Sequence, residues 1–287
     1  MNFSNMYDKI QNRISYFVIS QIRRLIMNKC NIYIITHKEF FEKYPSNYIP
    51  IQVGKDFTHK ELGYLSDNTK INISNKNDCY CELTGIYWVW KNCQLSDYIG
   101  FCHYRRFFAN NNFSKKFITE KKVGKIFEKG YDIILPKKFN VIDTVWNNYF
   151  QFGSGKEKDL KKLKKIIKEE YATYLPFFNQ IVKKHSASYC NMFIMKKDDF
   201  NEYCTWIFDV LEKMEKITDI SDYSKSEKRI YGYLSEILLN VWIAKKNMKI
   251  KYVKMIRTDE NFTNIIKRFI FIPKKIVKIC IRNAKNK

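Results

Sequence analysis

The sequence places its densest cluster of polar side chains directly after a short apolar segment. Residues 98–102 read Tyr-Ile-Gly-Phe-Cys, which is typical of a buried strand, and His103, Arg105 and Arg106 follow at once. Two guanidinium groups offer forked N–H donors that match the oxygens of a diphosphate, and a histidine can add a further donor. The cluster therefore predicts a binding site for a phosphorylated ligand, with an ordinary basic surface turn as the alternative.

Two glutamates lie in segments that are otherwise apolar and are predicted to be helical. Glu82 precedes the sequence Leu-Thr-Gly-Ile-Tyr-Trp, and Glu236 follows Gly-Tyr-Leu-Ser. A carboxylate on a half-buried helix is either held in a structural ion pair or poised to accept a proton as a general base. Arg229 is a candidate ion-pair partner in either case. The residue types alone leave both roles open.

Further polar residues follow another predicted strand and fill one long segment. His37 ends the apolar run of residues 31–37, and Asp67 and Asn77 lie in the polar stretch of residues 55–80. Amide and carboxylate side chains at such spacing suit the hydroxyl groups of a ribose or a sugar, whereas the alternative is a solvated loop. Because loops of this length in a compact domain are usually functional, we predict that this one contributes to ligand binding.

Several motifs for cofactors and metals are absent from the sequence. The chain has no D-x-D, no G-x-G-x-x-G and no G-x4-G-K-[ST], so dinucleotide and P-loop sites are not expected. Its eight cysteines lack the paired spacing of a structural zinc site, and we interpret them as reduced thiols. We predict no residue as a metal ligand; dependence on Mn²⁺ or Mg²⁺ stays open, without a D-x-D motif to hold the cation.

The pattern of apolar segments predicts an α/β protein. The predicted strands cover residues 31–37, 48–54, 98–102, 131–136 and 191–195, and the predicted helices cover residues 81–92, 156–170, 200–214 and 232–244. Strands that alternate with helices form mostly parallel sheets with helices on both faces, and ligands bind outside the carboxyl ends of those strands. His37 and the cluster at residues 103–106 both fall at such strand ends.

Charge is distributed along the whole chain and is strongly positive. Lys and Arg number 52 against 29 Asp and Glu, which gives a net charge of +23 and indicates an anionic partner. We predict a basic amphipathic extension at residues 1–28, a core domain at residues 29–258 and a basic tail at residues 259–287. Both end segments suit an anionic membrane surface, and an ordinary surface helix is the alternative for the first.

Several of these segments together resemble one known family. The strongest likeness lies in Cys-Glu-Leu-Thr-x-x-Tyr-Trp-x-Trp-Lys-Asn at residues 81–92 and in Gly-x-Cys-His-Tyr-Arg-Arg at residues 100–106. Supporting agreement, in the same order along the chain, covers residues 34–38, 48–54, 72–77, 191–195, 203–206 and 229–236. In these segments the chain resembles the glycosyltransferase family of capsular and exopolysaccharide biosynthesis.

This resemblance implies both a fold and an activity. The implied fold is the Rossmann-like, A-type fold of nucleotide-sugar glycosyltransferases, with a mostly parallel mixed sheet. The implied reaction moves a hexosyl unit, with galactosyl or galactofuranosyl as the expected sugar, from a nucleotide-diphosphate donor. The expected acceptor is a lipid-linked or growing surface polysaccharide, and the expected location is the cytoplasmic face of the cell membrane.

The implied reaction, together with the positions of the candidate residues, suggests a role for each of them. Glycosyl transfer needs a carboxylate that deprotonates the acceptor and cations that neutralise the leaving diphosphate. We predict Glu236 as the base, Glu82 as the alternate base and His103 as a further catalytic group. The predicted donor-binding residues are His37, Asp67, Asn77, Arg105, Arg106, Asn191 and Arg229. In this scheme Arg105 and Arg106, with His103, supply some or all of the positive charge that a D-x-D-bound metal supplies in other A-type enzymes.

Two other functions remain open at this point. A chain with a net charge of +23 and 16% aromatic residues could bind nucleic acid, although no RNA-recognition motif is present and no nucleic-acid partner is expected. The second alternative is a catalytically inactive scaffold that binds glycans. The glutamates and the His-Tyr-Arg-Arg cluster favour an enzyme over both.

Overall fold

The computed structural model of the chain describes residues 29–40, 42–113 and 115–258. The predicted N-terminal extension and C-terminal tail lie outside these described residues. Among the described helices, none is long and apolar enough to cross a bilayer.

A mixed β-sheet forms the centre of the described chain. The strands are β1 (Cys30–Thr36), β2 (Tyr48–Gln52), β3 (Leu65–Ser66), β4 (Tyr98–His103), β5 (Arg106–Phe108), β6 (Ile133–Pro136), β7 (Phe139–Asn140), β8 (Ser186–Ala187), β9 (Phe193–Lys196), β10 (Ile250–Val253) and β11 (Met255–Arg257). The main path runs β10-β6-β9-β4-β1-β2-β3, and along it only β9 runs antiparallel to its neighbours. β5 and β11 extend the sheet antiparallel from the end of β4, and β7 pairs with β8 separately.

Helices cover both faces of this sheet. They are α1 (Asn77–Tyr80), α2 (Leu83–Asn92), α3 (Glu120–Glu128), α4 (Val145–Asn147), α5 (Glu157–Glu170), α6 (Leu175–Val182), α7 (Lys197–Ile217) and α8 (Ile230–Lys245). Successive residues of β1 alternate between two cores: Tyr33 and Ile35 pack with α2 and α5 to α8, while Ile32 and Ile34 pack with α3. The strand therefore reads as a continuous apolar run, because both of its faces are buried.

The predicted strands and helices are confirmed in position, with ends shifted by a few residues. The prediction of one long loop at residues 55–80 is wrong, because this segment contains β3, α1 and two short 3₁₀ turns. The sequence pattern also missed α3, α6 and several strands of two to four residues. A strand of two to four residues is too short to show the alternation of apolar and polar residues by which strands are recognised in a sequence.

Glycine 85 lets α2 lie directly against the sheet. A Cβ at Gly85 would lie 2.7 Å from Val53 Cγ1 and 2.8 Å from Ile35 Cδ1, both below normal contact distance. These two side chains belong to the segments that end β1 and β2. The close approach places the start of α2, and with it Glu82, near the carboxyl ends of the strands.

We expect Gly85→Ala to lower the free energy of unfolding by about 1–2 kcal/mol, because overpacking outweighs the gain in helix propensity. Gly124→Ala is the matched control, since Gly124 lies in α3 and a Cβ there meets no atom within 4 Å. That variant should gain about 1 kcal/mol from helix propensity alone. Urea unfolding measures both changes, and a stabilised Gly85→Ala variant would contradict the close packing of α2.

Candidate active site

A cleft of about 850 Å³ opens at the carboxyl ends of β1 and β4. The predicted site residues that line it are His37, Asn77, Glu82, His103, Arg105, Arg106, Arg229 and Glu236. Asp67 and Asn191 are not among its lining residues and are both buried. Most of the residues that the sequence marked thus meet in one place, at the sheet edge where α/β proteins bind ligands.

The His-Tyr-Arg-Arg cluster forms the turn of a β-hairpin. His103 ends β4 and pairs across the hairpin with Arg106, the first residue of β5. The turn is tied to β1, because the Tyr104 amide donates to the Ile35 carbonyl at 3.2 Å. The buried Tyr104 ring lies 4.8 Å from the Arg105 guanidinium carbon and 5.3 Å from the His37 ring centroid. This packing holds Arg105 and His37 at the cleft mouth.

The backbone turn at Cys190 and Asn191 contacts all three predicted catalytic residues. The Cys190 amide donates to Glu236 Oε1 at 2.6 Å, and the Cys190 carbonyl lies 2.6 Å from His103 Nε2. The Asn191 side-chain amide donates to Glu82 Oε1 at 2.7 Å. Both turn residues have positive φ angles, 74° and 45°, which non-glycine residues rarely adopt. The turn therefore holds both carboxylates in place through hydrogen bonds from neighbouring residues.

Burial and charge shift the proton affinity of this group. Burial, together with the nearby charge of Glu82, raises the pKa of Glu236 to about 8, while the Cys190 amide, Arg106 and Arg229 oppose the shift. Burial lowers the pKa of His103, so its ring is neutral near pH 7. Because a carbonyl only accepts, the His103 proton lies on Nε2, facing Cys190. Glu236 is therefore poised to exchange a proton near neutral pH.

A second group of cations, located just before α8, also lines the cleft. Lys225, Lys228 and Arg229 line the cleft just before the helix begins at Ile230. The Arg229 guanidinium donates through Nε to Cys81 Sγ at 3.2 Å and lies 5.4 Å from the Tyr233 ring. Sequence reasoning missed the two lysines. Their position before a predicted helix could have indicated an anion site, because cations at a helix N-terminus are unfavourable unless an anion offsets them.

Helix α8 also packs very closely against the joint between α1 and α2. A Cβ at Gly232 would lie 3.1 Å from Cys81 Sγ and 3.2 Å from Cys81 Cβ. Cys81 itself has a positive φ of 54°. The small residue in the first turn of α8 allows Glu82 and Glu236 to line the same cleft.

Asp67 and Asn77 have structural contacts that the sequence did not predict. The buried Asp67 carboxylate accepts hydrogen bonds from the backbone amides of Gly54 and Lys55 and from the hydroxyls of Ser74 and Thr84. Four protein donors occupy the carboxylate, so Asp67 orders the segment of residues 55–80 from within. Asn77 lines the cleft, yet its amide donates to the Cys81 carbonyl at 2.7 Å.

Asn191 likewise acts on the site from behind it. Its amide nitrogen lies 2.8 Å from Ser235 Oγ as well as 2.7 Å from Glu82 Oε1, and its side chain is buried. Asn191 is therefore a positioning residue for Glu82 in this geometry. The prediction placed it in the donor-binding set.

The side chains that line the cleft determine whether a divalent cation could bind there. Within the described residues, no group of three or more His, Cys, Asp or Glu side chains has the arrangement to hold a metal ion. The end of β4 presents guanidinium groups, which repel a cation. The donor groups that the described residues bring to the cleft therefore do not fit a bound metal.

We expect Glu236→Gln to stabilise the protein increasingly between pH 4.5 and pH 8. The native state of the wild type holds the Glu236 proton up to a pKa of about 8, compared with an ordinary value of 4.5, so its free energy of unfolding falls as pH rises through this window. Glutamine removes this loss, with a ceiling of about 5 kcal/mol above pH 8.

Urea unfolding at a series of pH values measures this difference. Glu169→Gln is the matched control, because Glu169 is an exposed residue of α5 and the substitution is the same. A difference between Glu236→Gln and wild type that stays flat with pH would show that Glu236 is not protonated by burial.

Comparison with solved structures places this fold among known ones. The chain is similar to the apo structure of WbbM, a bifunctional glycosyltransferase, with a TM-score of 0.73 and 32% sequence identity. The match covers 81% of this chain and 46% of that one, so the chain spans less than half the length of that protein. A search of functionally curated proteins finds no match. The predicted fold class, a Rossmann-like A-type glycosyltransferase fold with a mostly parallel sheet, is confirmed.

The family comparison covers nearly the same part of the chain. The family model described as "Domain of unknown function (DUF4422)" matches residues 31–247. This range contains the whole cleft, from His37 to Glu236. Because the match spans more than half of the sequence, the chain belongs to the DUF4422 family.

Proposed function

We propose that the chain is a glycosyltransferase that moves a hexosyl unit from a nucleotide-diphosphate sugar to a glycan acceptor. The observation that carries the proposal is the placement of the half-buried Glu236 carboxyl in one cleft with Arg106 and Arg229. A proton acceptor and a group of cations are the two elements that glycosyl transfer needs. The similarity to WbbM, a glycosyltransferase with the same fold, supports the assignment.

The arginines and lysines that line the cleft can bind the diphosphate of the donor. Arg105 and Arg106 approach from the β4–β5 hairpin, and Lys225, Lys228 and Arg229 approach from the start of α8. Guanidinium groups bind phosphate oxygens in pairs, and the helix N-terminus adds positive potential. These groups meet the negative charge that develops on the diphosphate as it leaves. His37 and Asn77 line the same cleft and are assigned to the nucleoside side.

Glu236 is assigned as the base for the acceptor. Its carboxylate takes the proton from the attacking hydroxyl, whose oxygen forms a bond to the anomeric carbon of the sugar. The bond between that carbon and the diphosphate oxygen breaks, and the nucleoside diphosphate leaves with both electrons. Glu82 holds a negative charge beside Glu236 and thereby makes Glu236 a stronger base.

The remaining expectations extend this proposal. A galactosyl or galactofuranosyl unit on UDP is the proposed donor, and a lipid-linked or growing surface polysaccharide is the proposed acceptor. The basic amphipathic residues 1–28 and 259–287 are proposed to hold the chain at the anionic inner face of the cell membrane.

We expect Arg105→Ala to weaken binding of the nucleotide sugar by about 10- to 100-fold, since it removes a charged hydrogen-bond donor from the diphosphate. Isothermal titration calorimetry measures these affinities. The ligands are UDP, GDP, UDP-galactopyranose, UDP-galactofuranose and a short RNA, each with and without Mn²⁺. Lys164→Ala is the control, because Lys164 is an exposed residue of α5. Binding of RNA without any nucleotide would favour the nucleic-acid alternative and overturn the proposal.

The base assignment predicts a particular pH dependence. We expect kcat/KM of the wild type to rise with pH through about 8, as Glu236 loses its proton. Glu82→Gln should keep activity but shift this rise to lower pH, because removing the neighbouring negative charge lowers the pKa of Glu236. Glu236→Gln should lose about 10²- to 10⁴-fold in rate.

Release of the nucleoside diphosphate from the donor that binds best measures these rates. The two variants carry the same Glu→Gln substitution at two positions of one cleft, so each is the control for the other. Retained activity in Glu236→Gln together with its loss in Glu82→Gln would assign the base to Glu82.

A further inference from the structure

A second pocket lies on the far side of Glu236. It has a volume of about 370 Å³, and Tyr149, Tyr189, Tyr233 and Phe139 contribute its aromatic lining. Cys190 and Glu236 line both this aromatic pocket and the cleft, so the proposed base is a shared wall between them. Aromatic faces stack on the apolar faces of sugar rings, while the hydroxyls of the half-buried Tyr189 and Tyr233 can hydrogen-bond to sugar hydroxyls.

A third cavity continues from the aromatic pocket. This basic hollow, of about 1370 Å³, is lined by six exposed lysines, Lys43, Lys115, Lys116, Lys137, Lys138 and Lys254, together with Arg257. Glu42 is the single acidic side chain among its lining residues as the structure describes them. Phe139 and Arg257 line both the aromatic pocket and the hollow. Such an excess of positive charge in one concave surface attracts anions.

A row of basic residues joins the three cavities. His103 on β4 pairs directly with Arg106 on β5, which pairs directly with Arg257 on β11. Residues that pair directly across antiparallel strands point to the same face of the sheet, so the side chains of Arg106 and Arg257 lie on one face. The row begins in the cleft and ends in the basic hollow.

We propose that the acceptor is a phosphate-bearing glycan, which places its terminal sugar in the aromatic pocket beside Glu236 and its phosphate group in the basic hollow. This inference rests on the proposed function, because it assigns the acceptor side of the same reaction. The cleft holds the donor, Glu236 borders both substrate sites, and the lysines of the hollow bind the phosphate of the acceptor. The phosphate is carried either by a lipid diphosphate or by a soluble glycan.

Charge reversal in the hollow tests the proposal. The hollow variant is Lys137→Glu/Lys138→Glu/Lys254→Glu. The control variant is Lys164→Glu/Lys165→Glu/Lys168→Glu on α5. Both variants change the net charge equally, and all six lysines are exposed. Inorganic diphosphate is titrated calorimetrically into each protein saturated with UDP. We expect wild type and control to bind it equally and the hollow variant to lose at least tenfold in affinity. Equal affinity in the two variants would overturn the site.

Two further probes identify the source of the phosphate. One is a neutral phosphatidylcholine vesicle that contains a long-chain prenyl diphosphate, and the other is a soluble oligosaccharide phosphate. Weaker binding of the hollow variant than of the control to the vesicles assigns a lipid-borne phosphate, and the same result with the oligosaccharide assigns a soluble one. Equal binding of both variants to both probes would overturn the proposal.

The proposed function and this inference fail in different ways. If UDP and the UDP-sugars do not bind, the proposed function is wrong, and the comparison of the hollow and control variants with diphosphate alone still decides whether the hollow is an anion site. If UDP binds but the hollow variant matches the control, the donor site stands and the phosphate-bearing acceptor is wrong.

Discussion

The site depends on one strained piece of backbone, the turn at Cys190 and Asn191. Each non-glycine residue with positive φ costs of order 1–3 kcal/mol, so the turn persists only because its surroundings hold it. Its amide, its carbonyl and its side-chain amide reach Glu236, His103 and Glu82, respectively. Residues from three distant parts of the chain thereby share one set of hydrogen bonds. A relaxed backbone at this point would separate the groups that the proposed reaction needs together.

The same turn sets the electrostatics of the cleft. It holds Glu236 in a half-buried position near Glu82; desolvation and the charge of Glu82 raise the pKa of Glu236, while Arg106 and Arg229 limit the rise. Opposing contributions of this kind place a carboxyl group near neutral pH instead of leaving it permanently protonated or permanently charged. The neutral His103, with its proton turned toward Cys190, adds no charge that would shift this balance.

The sequence predicts the parts of this site that follow from local pattern. The short apolar strand before His103 and the two arginines predicts their position at the carboxyl edge of an α/β sheet, and the two glutamates stand out as charged residues in apolar helices. Contacts made through space could not be predicted. A positive φ at Cys190 has no signal in the residue type, and the burial of Asp67 follows from four donors that lie 7 to 17 positions away along the chain.

Strand pairing off the main path of the sheet explains why no sequence pattern indicated the proposed acceptor site. β5 and β11 have three residues each and are far apart along the chain, so no periodic pattern announces that Arg106 and Arg257 lie opposite each other. Once paired, the two strands extend the cation cluster of the cleft toward the lysines at residues 137, 138 and 254. Because Arg106 belongs to the cleft and directly opposes Arg257 in the hollow, charge bound on either side changes the potential felt on the other. The short strand β5 thus couples the two proposed substrate sites electrostatically, across the hairpin that also presents His103.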